Sequence, residues 1–178
     1  TSFLFNGALL SPREIAAMIT LTPIPLTRQA FARYGEVLEA DGAEHFPTNQ
    51  GLATRFNNLA RIDVDAEGGS VNVSIFETNA RPMPIRLELM ERHPLGSQIF
   101  YPLQDRPWLV VVCDDPSVGA SFKAFMATGV QGVNYARNVW HHPLLALDPD
   151  SRFLVVDRKG PGNNLEEIKL GGDYAQIA

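Results

Sequence analysis

At 178 residues, 45% of them hydrophobic and 20% charged, the chain is long enough for one well-cored domain and short for two. Fifteen basic against twenty acidic residues give a net charge of −5 with no Lys/Arg cluster, so a nucleic-acid backbone has no electrostatic footprint here. The longest purely apolar run in the strand-like middle, Trp108–Cys113 (WLVVVC), falls far short of the roughly 20 residues a membrane-crossing helix needs.

The first seventeen residues lean apolar but lack a basic start and a small-residue cleavage site. They read as an extension or expression remnant, residues 1–17, ahead of a single domain over 18–178. Within them Ser11-Pro12-Arg13-Glu14 has the form of a capping box with proline at the first helical position, predicting a short helix to about Met18. Thr27 can cap a second helix that presents Ala30, Phe31 and Tyr34 on one face and ends at Gly35. His45 falls in a Gly/Pro-flanked stretch, GAEHFPTNQG, expected to be a surface loop.

From there the apolar period drops to two. Arg61–Asp65 (RIDVD) alternates; Val71, Val73 and Ile75 alternate with Asn72, Ser74 and Phe76; Ile85, Leu87 and Leu89 alternate with Arg86, Glu88 and Met90. Gln98–Pro102, Trp108–Cys113, Val133–Tyr135, Val139–His142, Leu144–Leu147 and Phe153–Val156 continue the series, separated by turn sequences such as HPLG, QDRP, DPDS and KGPGNN. Ser121–Thr128 fits either a strand or a turn or two of helix. Many short strands with few helices predict a mainly β sandwich or barrel. The Trp108–Cys113 run, apolar on both faces, is its central strand. The one cysteine, Cys113, lies in that run and reads as a buried apolar side chain in a reducing compartment, the cytoplasm.

Chemistry must come from few residues. Of four histidines, His93 closes one strand and His141 and His142 open another, 48 and 49 positions later. On an extended strand, neighbouring side chains take opposite faces, so one of the adjacent pair turns inward. Barrel closure can bring His93 and His141 together, and neutral imidazole is a common transition-metal ligand. The bland alternative is a histidine capping a strand edge through its own backbone. A third ligand would come from Gln98, Glu91 or Glu88. Arg92 and Arg137 neighbour these histidines, and a guanidinium fork suits a small carboxylate; the competing reading is an ordinary ion pair. There is no G-x-S-x-G, H-E-x-x-H or P-loop, and Gly160-Pro161-Gly162 lacks the third glycine of a dinucleotide loop.

The stretches ERHPLGSQIFYPL (Glu91–Leu103) and GVQGVNYARNVWHHPLLAL (Gly129–Leu147) resemble the ureidoglycolate lyase family, also called ureidoglycolate hydrolases. NQGLATRFNNLA (Asn49–Ala60) and FLVVDRKGPGNN (Phe153–Asn164) fit the same family, over roughly residues 18–168. The resemblance implies a cupin-type double-stranded β-barrel (jelly roll) with one or two short helices, working as a homodimer in allantoin breakdown. It implies release of urea and glyoxylate from (S)-ureidoglycolate, with nickel or another divalent metal as cofactor. By position it makes His93 and His141 catalytic groups and metal ligands; the chemistry of the cleavage then calls for His141 or Glu91 to supply the proton to urea. Arg92 or Arg137 is expected to hold the substrate's carboxylate, with Gln98 and Tyr135 as further substrate-binding residues, and His142 belongs to the wall. Two departures stand out: Ala136 where the family form has a histidine after Tyr135, and Asn138 where glycine is usual. The first motif offers His93 as its one histidine, with Gln98 as a substitute ligand. Two other readings stay open, a non-catalytic sensor for a small carboxylate and a hydrolase releasing ammonia.

Overall fold

Side chains that alternate in and out need a second layer to cover their apolar face. The computed structural model, which describes residues 18–171 and 174–178, supplies that layer as a second sheet. One sheet orders Glu166–Lys169, Leu89–Arg92, Trp140–His141, Trp108–Cys113, Lys123–Ala127 and Ile24–Pro25, with Leu145–Ala146 also on Trp108–Cys113. The other orders Gly35–Leu38, Gly132–Tyr135, Gln98–Pro102, Ser151–Lys159 and Ser70–Thr78. From Leu89 onward the chain passes repeatedly between the two, the mainly β, cupin-type arrangement expected. Hydrogen bonding keeps them as separate ladders rather than one continuous cylinder.

Strand parity decides what lies between. Trp108, Val110 and Val112 of one sheet share a core with Phe100, Val133, Tyr135, Phe153 and Val155 of the other. Leu109, Val111 and Cys113 face the opposite way, into a second core with Leu21, Ile85, Ala175 and Ile177. Those last four belong to a three-stranded sheet of Ile19–Leu21, Ala175–Ile177 and Ile85–Arg86 that backs the first sheet. Every residue of Trp108–Cys113 is therefore buried, as its two-sided apolar composition requires. Cys113 is a free, buried thiol, pushed up to about 12 by burial and by Asp114 and Asp115. Among the described residues no helix is long and apolar enough to cross a membrane.

Several local expectations shift. Thr27 does cap a helix, its hydroxyl oxygen accepting from the Ala30 N–H at 3.1 Å, but the helix covers only Arg28–Phe31. Phe31 and Tyr34 are buried as expected, and Gly35 opens a strand rather than closing a helix. Arg61–Asp65 is not a strand: the Asp63 carbonyl accepts from the Ser97 N–H, the Asp63 N–H donates to the Ser97 hydroxyl, and the Arg61 carbonyl accepts from the Asn134 amide. His45 starts an exposed hairpin, His45–Thr48 with Ala53–Phe56, instead of sitting in a loop. Ser121–Thr128 resolves into a strand, Lys123–Ala127, paired along Trp108–Val112. The helix expected from the capping box at Ser11 lies outside the described residues.

Candidate metal centre and active site

Cross-strand register assembles the site. His141 pairs with Val112 on one side and with Glu91 on the other, so all three present the same face to the sheet interior. His93 follows Glu91 by two positions and shares that face. On the opposing sheet Tyr135 pairs with Gln98, and the Tyr135 ring stacks on His141 at 4.1 Å with 10° between planes. The His93 and His141 ring centroids are 5.3 Å apart.

Each imidazole is fixed by a backbone carbonyl. His93 donates its Nδ1–H to Asn164 at 2.7 Å and His141 donates its Nδ1–H to Val139 at 3.0 Å. A carbonyl only accepts, so both rings carry their proton on Nδ1 and leave Nε2 as a bare lone pair. Both Nε2 atoms are buried and, among the described residues, have no hydrogen-bond partner, as is true of Gln98 Oε1. Glu91 Oε1 lies 3.3 Å from His141 Nε2 and 3.9 Å from His93 Nε2. Two nitrogen lone pairs and a carboxylate oxygen within 4.8 Å of one another repel unless a proton or a cation joins them. Two imidazoles with carbonyl-anchored Nδ1–H groups plus one carboxylate fit a divalent transition metal, and Gln98 Oε1 is an additional oxygen donor.

Electrostatics sort the roles. Burial raises the Glu91 carboxyl, but the close contact with His141, with His93 and His142 beyond it, outweighs burial and holds Glu91 below its ordinary value. His93 is pushed down, first by burial and then by His141, against the opposing pull of the Asn164 carbonyl, Glu91 and Gln98. Both shifts favour the forms that ligate: carboxylate and neutral imidazole. His141 is 1% exposed and forms the floor, while the His93 and Glu91 side chains at 15% and 17% form the mouth.

The two arginines are not brought into the cluster. Arg92 alternates with Glu91 and His93, so it turns to the other face, pairs with Glu166 at 2.5 and 2.6 Å and covers the Trp140 ring at 4.6 Å. Arg137 follows the strand that carries Tyr135, and its guanidinium pairs with Asp63 at 2.5 Å. Glu88 is solvated, its side chain 70% exposed. Leu87 joins the outer core in phase with Ile85, and the alternation breaks after it, so that Met90 of Leu89–Arg92 takes the same face. Ala136, where the family form has histidine, is exposed, and Asn138 adopts the positive φ of 65° that explains glycine there. The carbonyls of Asn164 and Val139 left no sequence signal, because backbone acceptors are independent of residue type.

His142 is buried too, 2% exposed, on the opposite face from His141. Burial, aided by Arg81 and opposed by the Pro143 carbonyl, Glu91 and Glu88, depresses it to about 4. The unfolded chain binds this proton near pH 6.5 and the folded chain only near 4. The stabilisation is thus full above pH 6.5 and is lost as pH falls through 4, a loss of about 3 kcal/mol. Urea unfolding across that window should have a shallower acid limb in His142→Asn than in the unmodified chain; equal limbs would remove His142 as the cause.

Fold and donor set define a cupin-type domain with an interior site suited to a divalent cation. The model of the ureidoglycolate lyase family matches residues 18–176, and the chain belongs to that family. It is 52% identical over 154 residues to the ureidoglycolate lyase of Burkholderia mallei, covering 86% of this chain and 91% of that protein. It is 55% identical over 145 residues to ureidoglycolate lyase 1 of Rhizobium meliloti, covering 81% and 85%. The Pseudomonas fluorescens ureidoglycolate lyase is 47% identical over 152 residues, covering 84% and 91%. Among solved structures, a dTDP sugar isomerase from Desulfovibrio desulfuricans aligns over 78% of this chain and 85% of its own with a TM-score of 0.40 and 15% identity. An oxalate decarboxylase from Lactobacillus farciminis aligns over 62% and 30%, with a TM-score of 0.39 and 15% identity.

Proposed function

We propose that this protein is a carbon–nitrogen lyase that cleaves (S)-ureidoglycolate into glyoxylate and urea in allantoin breakdown, with His93, His141 and Glu91 at its reacting centre. One observation carries the reading: the family match spans residues 18–176, the stretch that folds those three side chains into a single donor set.

In the substrate one carbon bears a hydroxyl, a carboxylate and the ureido nitrogen. Cleavage moves one proton. The hydroxyl oxygen gives it up, its electron pair closes the C=O of glyoxylate, the C–N pair leaves on nitrogen, and nitrogen takes the proton to become urea. No water is consumed. Glu91, ionised at neutral pH, suits the shuttle from oxygen to nitrogen, a transfer worth about 10²–10⁴-fold when well placed. Gln98 and Tyr135 flank the floor opposite it and orient the substrate. His93 and His141 through Nε2, with Glu91 beside them, would hold a divalent cation, nickel by family resemblance, which when bound supplies positive charge next to the substrate's anionic oxygens. Arg92 and Arg137 have no part in this scheme, their guanidinium groups being engaged elsewhere.

The test is product analysis. Incubation with (S)-ureidoglycolate should yield urea and glyoxylate in equal amounts without ammonia, and a chelator should suppress it. Ammonia and carbon dioxide would assign a hydrolase instead, and a ligand-induced melting shift without product would assign a sensor.

We also propose a homodimer in the cytoplasm. Val71, Val73 and Ile75, at 45%, 62% and 46% exposure, line one face of the edge strand Ser70–Thr78, an apolar row that a second copy would cover. A monomer by sedimentation at micromolar concentration would refute it. The single buried thiol favours a reducing compartment. Finding the protein in a secreted fraction would refute that.

A further inference from the structure

The sequence KGPGNN, which is no nucleotide loop, lies across the turn that follows His93. Arg158, 8% exposed, ties its base down: one guanidinium nitrogen donates to the Pro161 carbonyl at 2.7 Å and to the Ala66 carbonyl at 2.8 Å. Gly162 takes a φ of 85°, and a Cβ there would meet Leu95 at 2.7 Å and the Glu67 carboxylate at 2.3 Å. The loop therefore packs closely against both the His93 turn and the Ala66–Gly68 turn. At its end Asn164 bonds twice to the site strand: its carbonyl accepts from His93 Nδ1–H, and its side-chain oxygen accepts from the Leu95 backbone N–H, each at 2.7 Å.

We propose that Asn164 is a positioning residue for His93. Its two bonds, two residues apart on the same strand end, form a bracket. The side-chain bond fixes where the Asn164 backbone sits, and the carbonyl then dictates that the His93 proton resides on Nδ1, leaving Nε2 free toward Glu91 and His141. Without the side-chain bond the carbonyl remains but nothing registers it against the ring. The inference rests on the reading of His93 as a site ligand, yet it concerns the ring's tautomer, which is measurable without substrate or metal.

The test uses nitrogen NMR of the histidine side chains in the metal-free protein, with cobalt titration followed by visible absorbance as the second readout. His93 in the unmodified chain should be the Nδ1–H tautomer; finding the Nε2–H tautomer there overturns the proposal outright, whatever any variant does. Asn164→Ala should populate the other tautomer and weaken cobalt binding by about 10–100-fold. Asn164→Asp keeps an oxygen acceptor for the Leu95 N–H and should restore the Nδ1–H tautomer. An unchanged tautomer and cobalt affinity in a folded Asn164→Ala protein would equally overturn it. Loss of turnover with both readouts unchanged would count against Asn164 and leave the lyase reading standing; correct tautomers with no urea formed would do the reverse.

Discussion

His141→Ala should lower kcat/KM for (S)-ureidoglycolate by about 10³-fold, the mid-range of a lost proton-transfer or ligand group. This side chain is the floor of the donor set, 1% exposed, 3.3 Å from Glu91 Oε1 and stacked on Tyr135. Removing it deletes one nitrogen donor and takes away the close contact that helps keep the Glu91 carboxyl low. Glu91 then loses the neighbour that favours its ionised form and is held less firmly as the carboxylate that accepts the hydroxyl proton. Two consequences compound: weaker cation binding and a less effective base. The control is His142→Ala, whose ring lies on the other face; it should lose stability but retain far more turnover per folded molecule. Measuring both by urea release after normalising for folded protein separates them. Activity of His141→Ala within tenfold of the unmodified chain would remove this residue from the mechanism.

Gly35→Ala should have the largest effect on stability, about 3 kcal/mol or more, seen as a fall of roughly 6–12 °C in Tm. Gly35 has φ +145°, a region side chains rarely adopt, and a Cβ there would fall 1.8 Å from the Asn134 carbonyl oxygen. That neighbour is backbone inside a ladder and cannot rotate away. Gly35 pairs with Tyr135, and the Ala136 N–H donates to the Tyr34 carbonyl, so any displacement moves the strand on which Tyr135 stacks against His141. The variant should therefore lose activity in its folded fraction as well. A Tm within 2 °C of the unmodified chain would mean that the strand pair opens at little cost.

How far the sequence carried differs by element. Trp108–Cys113 was legible because a sheet covered on both faces takes apolar residues at every position, whereas Ser70–Thr78 was legible as a strand although its alternating Val71, Val73 and Ile75 line the exposed face and not the interior. Arg61–Asp65 alternates equally well yet pairs with no strand, since Ser97 and Asn134 take its polar backbone groups, and no local pattern announces such partners. The meeting of His93, His141 and Glu91 followed from strand parity plus closure of the fold. The same parity, applied to Arg92, puts its side chain on the face opposite Glu91, against Glu166 and Trp140. Arg137 lies beyond its strand's end, where no period applies, and only the Asp63 carboxylate reveals its direction. The acceptors that set both imidazole protons are main-chain oxygens and so were invisible.

Adjacent histidines, one ending the two-residue strand Trp140–His141 and the other just past it, raise a question of keying. Sliding that strand by one position would exchange the faces of its side chains, and with His141 and His142 in succession an imidazole would still reach the interior. Identity at the site therefore cannot lock the alignment; the neighbours must. Trp140 fits only the apolar layer under Arg92, and Pro143 has no N–H to extend the ladder. The selectivity of the pocket is thus guarded by a tryptophan and a proline that never touch it.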